Sequence, residues 1–430
     1  MTMGVQTQIE QHDKTSKLED FKGLLLNFEF NEGIKSKKTL AIENNVAGLI
    51  FNRYINEFWT SRQRQASPIH EISYRACFKP QLPAFFIDRL SKEHDVVYDP
   101  FGGRGTTIIE AALRKRAGIS NDINPLSRIL AEPRIFPPAI TDIENRLLDI
   151  PFDKNKETGM DLSMFFHSDT LGEIISLKEY LYERKKTNRE DRIDKWIRMV
   201  ATNRLTGHSS GFFSVYTLPP NQAVSRNSQA KINEKRHQKP DYRDVKRIIM
   251  KKSRQLLGDM DRRTSDILKD YANKSIFITA DARHTSQIDN NTIQLTVTSP
   301  PFLDIVQYSN DNWLRCWFNG IDDKKVAKQI TMSRTLDDWS HVMGDVFVEL
   351  YRITRQGGWV AFEVGEVRKG SIKLDEYIAP LGIKAGFKLF GVVINSQVFT
   401  KTSNIWGINN NESGTNTNRI VVFYKSEDGI

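Results

Sequence analysis

Two short loops in this 430-residue chain carry side chains able to do chemistry. The first is Asp99-Pro100-Phe101-Gly102-Gly103-Arg104-Gly105-Thr106, which follows the apolar run Val96-Val97-Tyr98 and leads into a helical pattern reaching Arg116. A strand feeding a glycine turn and then a helix places N–H groups and strand-end side chains at the carboxyl edge of a sheet, where open α/β folds bind ligands. Glycine lets the backbone approach a ligand closely and adopt positive φ. The loop lacks both the Gly-Lys-Ser/Thr ending of a phosphate cradle and the dinucleotide G-x-G-x-x-G spacing. Asp99 suits a ligand bearing an ammonium group. Asp122, at the end of the next strand (Ala117–Asn121), is placed to accept from ribose hydroxyls. The second loop is Ser299-Pro300-Pro301-Phe302, directly after the β-rich run Ile293–Val297. Two prolines fix φ and remove two donors. What remains is a rigid acceptor pair, the Ser299 oxygen and a proline carbonyl, with Phe302 as a stacking face: a grip for an amino group. Alone, the first loop reads equally as a capped βα turn and the second as irregular chain. Their shared place at strand ends argues for a site.

The elements that must hold these loops follow from the pattern. Residues 1–45 read as an irregular or partly helical lead-in. Phe51, Tyr54, Phe58 and Trp59 lie at helical spacing, so a core-facing helix is expected over Leu49–Arg62. From Asp95 onward the texture is β-α-β, which implies a parallel sheet with helical crossovers. Further strands are expected at Ser275–Thr279, Ile293–Thr298, Trp359–Val364, Leu389–Val398 and Arg419–Tyr424, and a helix over Leu336–Arg352. The expected organisation is an N-terminal extension (1–60) and a Rossmann-like α/β catalytic domain with a mostly parallel sheet (61–133 and 275–430). A basic, mainly helical insertion (134–274) interrupts it.

Charge is uneven along the chain. The whole carries 62 Lys and Arg against 53 Asp and Glu, a net of +9, yet residues 181–265 alone hold 21 basic and 9 acidic side chains. The remainder is therefore at −3. Concentrated positive charge is the footprint of a polyanion binder, although it also describes a solvated helix face. No apolar run approaches the roughly 18 residues of a membrane helix. Two cysteines, Cys77 and Cys316, cannot build a disulfide framework or a four-ligand metal site. A soluble, cytoplasmic protein without a metal is expected.

The two loops resemble the S-adenosylmethionine-dependent amino-methyltransferases of DNA. Asp99–Thr106 is similar to that family's cofactor loop, Asp-Pro-Phe-x-Gly-x-Gly-Thr, and Ser299–Phe302 to its catalytic tetrapeptide, (Ser/Asn/Asp)-Pro-Pro-(Tyr/Phe/Trp). Tyr74–Pro83 resembles the segment closing over the methionine end of the cofactor, and Asp281 the acidic position that reads the adenine amine. The resemblance covers about 69–133 and 275–425. It implies that Phe78, Asp99, Phe101, Gly103, Gly105, Thr106, Asp122 and Asp281 bind S-adenosyl-L-methionine. It also implies that Ser299, Pro300, Pro301 and Phe302 hold a flipped base. Ser in place of Asp at 299 favours cytosine N4 over adenine N6. Phe302 stands where Tyr is commoner. Methylation at cytosine carbon 5 needs a nucleophilic cysteine, usually after proline, whereas Cys77 follows Ala76 and Cys316 follows Arg315.

Target recognition is expected in the insertion. Thr206–Tyr216 mixes small, polar and aromatic residues and leads to Asn221, Gln222, Arg226, Lys231, Lys235 and Arg236. Asn, Gln and Arg read base edges, and clustered cations hold phosphates. Phe212 and Phe213 read more simply as local packing, and Trp313 and Trp317 as core. The function expected is a site-specific methyltransferase of double-stranded DNA, of the kind paired with a restriction endonuclease. An RNA methyltransferase and a catalytically silent nucleic-acid-binding protein are the alternatives.

Overall fold

The computed structural model describes residues 17–31, 36–46, 48–60, 66–74, 77–217, 223–301, 308–329, 335–367, 372–396 and 417–427. Nine strands form one sheet: β1 (Leu40–Val46), β2 (Leu49–Asn56), β3 (Val96–Asp99), β4 (Ala117–Asn121), β5 (Ile276–Ile278), β6 (Ile293–Thr298), β7 (Thr354–Val364), β8 (Lys388–Ser396) and β9 (Thr417–Tyr424). Their spatial order is β1-β2-β8-β9-β7-β6-β3-β4-β5. All neighbours from β7 to β5 pair in parallel. Strand β9 is antiparallel to both its neighbours. This is the Rossmann-like architecture expected. All six residues of β6 are buried, as befits a central parallel strand covered on both faces.

The N-terminal region departs from expectation. Residues 49–56 form strand β2, not a helix, and pair with β1 antiparallel and with β8 in parallel. The residues carry the reason. Leu49-Ile50-Phe51 and Tyr54-Ile55 are apolar, β-branched or aromatic, which favours a half-buried pleated surface, and Gly48 turns the hairpin at φ +89. The i, i+3 spacing of Phe51 and Tyr54 is incidental to that strand. Residues 40–56 thus extend the central sheet instead of preceding it, and 17–26 are helical.

Helices α1 (Gln81–Leu90), α2 (Thr106–Leu113) and α3 (Leu126–Ile135) serve the β-α-β unit. Between β4 and β5 come α4 (Ile140–Asp149), α5 (Ser168–Lys186), α6 (Arg192–Arg204), α7 (Arg226–Arg236), α8 (Val245–Leu256) and α9 (Arg262–Ala272). Helix α6 opens with a reciprocal capping box between Asp191 and Asp194. These helices do not form a separate lobe. Trp196, Ile197, Phe165 and Ile249 share one buried cluster with Ile108, Ile109 and Leu130 of α2 and α3. Helix α10 (Tyr308–Asn319), which follows the Pro-Pro loop, adds Leu314 and Phe318 to that cluster, with Trp313 and Trp317 packed against it. Helices α11 (Asp323–Gln329), α12 (Leu336–Ile353) and α13 (Asp375–Lys384) complete the chain, and α12 and α13 share a second core with β7 and β9. Among the described residues no helix is long and apolar enough to cross a membrane.

Candidate active site

The carboxyl ends of β3, β4 and β6 open into one cleft of about 930 Å³, mouth included. Phe101 and Gly103 from the first loop, Asp122 after β4, Asp281 after β5, and Ser299 and Pro301 after β6 all line it. Trp339, Met343 and Val346 of α12 form an apolar wall. Parallel strands end on the same edge, so two loops almost 200 residues apart in sequence meet there.

The glycine loop is shaped by its surroundings. A Cβ on Gly102 would lie 2.1 Å from Ser120 Oγ, and one on Gly105, at φ +79, would lie 2.3 Å from Ala131 Cβ. Gly103 adopts φ +51, and a Cβ there would lie 3.7 Å from the Tyr74 ring, so it is the backbone conformation that favours glycine. The Gly103 N–H donates to Asp122 Oδ2 at 2.8 Å and the Asn124 N–H to Oδ1 at 2.9 Å. Desolvation still dominates, and the Asp122 carboxyl is pushed up to about 6.

Four of the expected cofactor residues do not line the cleft. Asp99, expected against an ammonium group, is 2% exposed. Its Oδ1 accepts from the Thr298 hydroxyl at 2.6 Å and from the Phe101 N–H at 3.1 Å. Asp99 therefore ties the glycine loop to the residue before Ser299, and burial raises its carboxyl to about 6. A parallel tie runs from Thr107 Oγ1 to the Val297 carbonyl at 3.1 Å. Gly105 is wedged behind the loop on α3. Thr106 is buried and accepts from Arg104 Nε. The Phe78 side chain packs on the aromatic cluster around α1. Asp281 does line the cleft, but its carboxylate is engaged by Arg283 at 2.6 Å, which holds it below the usual range.

The Pro-Pro loop is braced from two sides. The Ser299 hydroxyl and the Asn418 amide both hydrogen-bond the Glu363 carboxyl, the latter at 2.9 Å. Glu363 lies on β7, is 7% exposed, and is raised by burial. Trp339 Nε1 donates to the Pro301 carbonyl at 3.0 Å. Pro300 is buried beneath the loop. Phe302 lies outside the described residues, as do Asn221 and Gln222. Sequence reasoning missed Glu363, Trp339 and Arg104. A lone acid inside the buried run Trp359-Val360-Ala361-Phe362-Glu363-Val364 was the available signal for the first.

Arg104, inside the glycine loop, holds the segment that crosses it. Its guanidinium donates to the carbonyls of Ile72 and Phe78, both at 3.2 Å. Tyr74 of that segment lines the cleft; Phe78 contributes only its carbonyl to the clamp. Burial raises both thiols, Cys316 to about 12, which is the wrong direction for a nucleophile.

On the insertion, Arg226, Lys231, Lys235 and Arg236 are exposed along α7. That helix is anchored by polar side chains: Gln229 Nε2 donates to the Tyr216 carbonyl at 3.0 Å, and Asn233 Nδ2 to the Met164 carbonyl at 2.7 Å. The cations are left facing outward, with the Arg236 guanidinium 3.8 Å over the Tyr216 ring. Phe212 and Phe213 are buried. Phe213 belongs to the shared core cluster, and Phe212 lies beneath the Arg204 guanidinium. The segment after the insertion loop is bound to α10, because Trp313 Nε1 donates to the Ala223 carbonyl at 3.1 Å and Ala223 N–H to the Asp311 carbonyl at 3.1 Å.

Comparison with known proteins agrees with this geometry. Residues 8–130 match the N6/N4 family described as DNA methylase, so the likeness begins well before residue 69, where the sequence reading started it. The chain is 22% identical over 356 residues to the type II methyltransferase M.BsoBI of Geobacillus stearothermophilus, covering 73% of this chain and 65% of that one. It is 29% identical over 139 residues to the type II methyltransferase M.MjaII of Methanocaldococcus jannaschii, covering 31% and 26%. It is 24% identical over 150 residues to M.MvaI of Kocuria varians, covering 34% and 29%. The match thus spans less than two thirds of the length of each of these relatives. With both loops at one sheet edge and these matches, the chain is similar to S-adenosylmethionine-dependent amino-methyltransferases of the N4/N6 type.

Proposed function

We propose that this protein methylates an exocyclic amine of a base in double-stranded DNA, with cytosine N4 the first choice and adenine N6 the second. The observation that carries the reading is Ser299, held by a buried glutamate, on the rim of the same cleft that the glycine loop lines. The cleft suits S-adenosylmethionine. Phe101, Trp339 and Met343 offer apolar faces for a purine, Asp122 offers acceptor oxygens, and Gly103 has no side chain in the way. Bound there, the cofactor supplies a methyl group activated on a sulfonium.

The protein's own residues do the rest. An exocyclic amine is a poor nucleophile, because its lone pair is delocalised into the ring. Ser299, with its own proton directed to Glu363, keeps lone pairs free to accept one amine hydrogen, and the Pro300 carbonyl accepts the other. Both contacts draw the nitrogen towards sp³ and free its lone pair. Positioning and preorganised acceptors lower the barrier without a covalent intermediate. Glu363, raised by burial, stands behind Ser299 as an acceptor for the proton that the nitrogen sheds. The Trp339 and Asp99 bonds keep the loop from relaxing. The base must leave the duplex to reach this depth. A cognate restriction endonuclease is the partner class that fits such a modification.

Digestion of DNA from expressing cells to nucleosides, followed by mass spectrometry, tests the reading. N4-methylcytosine is expected. N6-methyladenine would transfer the choice of base. No methylated amine in DNA, or methyl groups found only on carbon 5 or on RNA, would overturn the function.

A further inference from the structure

Five cations are buried among the glycine loop, α3, α10 and the insertion helices, and among the described residues none has a carboxylate within ion-pair distance. They are Arg104, Arg134, Arg204, Lys252 and Arg315. Arg104 and Arg134 spend their donors on backbone carbonyls. Arg315 uses two, on Asn312 Oδ1 and the Ser73 carbonyl. Lys252 donates to Gln255 Oε1 at 3.0 Å. Arg204, 8% exposed at the end of α6, donates through Nη2 to Asn203 Oδ1 at 2.5 Å, while its Nε has no partner. Its guanidinium stacks 3.9 Å over Phe212. Burial and repulsion among neighbours push Lys252 down to about 8 and Arg204 to about 10. A buried, unpaired charge is costly unless something of opposite sign completes it.

The location says what that is. Arg315 lies 5.9 Å from the centre of the Tyr74 ring in the cleft wall, and Asn203 shares the Ser73 carbonyl with it. Phe212, under Arg204, belongs to the loop whose exposed tip is His208–Ser210. Arg315 is thus linked to the cleft wall through Tyr74, and Arg204 to the exposed loop tip through Phe212. We infer that Arg204, flanked by Lys252 and Arg315, seats one phosphodiester group of the DNA strand that carries the target nucleotide. The guanidinium fork matches the two free oxygens of such a group. The seat would fix the strand's register while the base is out of the stack.

The inference rests on the methyltransferase reading, and the test separates the two. Sheared genomic DNA from a host lacking the protein is the probe. Its binding is measured against salt for the wild type, Arg204→Met, Arg204→Lys and Lys252→Gln, together with S-adenosylmethionine affinity and methyl incorporation. Arg204→Met should weaken DNA binding about tenfold, the scale of losing hydrogen bonds to a charged partner. It should also lower the salt slope by about 0.9 with cofactor affinity unchanged. Arg204→Lys should keep the slope and lose part of the affinity. If Arg204→Met does not fold, Lys252→Gln must show the reduced slope. Unchanged DNA binding in folded variants, or a loss of cofactor affinity instead, which would assign the oxyanion to the cofactor's carboxylate, overturns the seat. Arg204-dependent DNA binding without any methyl incorporation by the wild type overturns the methyltransferase reading and keeps the seat.

Discussion

Two sets of buried charge in this molecule lack partners of opposite sign among the described residues: acids at the sheet edge, and cations among the helices and loops packed beside it. At the sheet edge Asp99, Asp122 and Glu363 are held by hydroxyls, amides and N–H groups, with no cation in ion-pair contact among the described residues. Beside the segments 69–74 and 77–78, Arg104, Arg134, Arg204, Lys252 and Arg315 are held without carboxylates among the described residues. A fold selected for stability alone would pair these sets or replace them with apolar residues, since buried ions seldom repay their desolvation. Kept apart, they would suit the ligands proposed above, a cationic cofactor and an amine on one side and a polyanion on the other. Burial explains why Asp99, Asp122 and Glu363 are pushed up and Arg134, Arg204, Lys252 and Arg315 down.

Removing the acid side should have the largest effect. Ser299→Ala and Glu363→Gln should each lower turnover roughly a hundredfold, the scale of deleting one preorganised electrostatic contact, while calorimetry shows cofactor affinity unchanged. Full turnover in Glu363→Gln would reduce that acid to a packing group. Next comes Asp122. It must be ionised to accept from hydroxyls, and its free-state value lies near 6. Cofactor affinity should therefore rise about tenfold per pH unit below 6 and level off above it, by the linkage of one proton. Asp122→Asn should bind about tenfold more weakly at neutral pH and lose the pH dependence in titration calorimetry.

The Asp99 prediction concerns stability. Burial raises its carboxyl in the folded protein to about 6, above the usual carboxylate value of about 4. The folded state thus holds the proton more tightly, and its contribution to stability falls as pH rises from about 4 through 6, by up to about 1.4 kcal/mol per unit. Asp99→Asn keeps the Thr298 acceptor and should flatten that fall in urea melts at several pH values. A wild-type stability curve already flat over this window would contradict the assigned burial cost. The smallest effect belongs to the exposed cations. Replacing Lys235 and Arg236 together with alanine should lower the DNA salt slope by less than two contacts' worth, about 0.9 each, because such side chains retain much of their hydration. An unchanged slope would move the outer DNA surface off α7.

Much of this was legible in residue order alone. Local spacing determined the β-α-β unit, the glycine loop and the Pro-Pro loop, because a strand run, a glycine turn and a helix start are set by neighbours within a few residues. Charge counting located the basic segment for the same reason: it needs no partner. The N-terminal strands were not legible, since Leu49–Asn56 becomes a strand by pairing with Lys388–Ser396, more than 300 residues away. Nor was the role of Asp99. Its type and position fit a ligand contact, but whether it faces the cleft or Thr298 depends on how β3 and β6 pack. Glu363 and Arg204 carry no motif. Only the tertiary structure brings the first behind Ser299 and, among the described residues, leaves the second without a carboxylate partner, because burial and charge pairing are properties of the assembled chain.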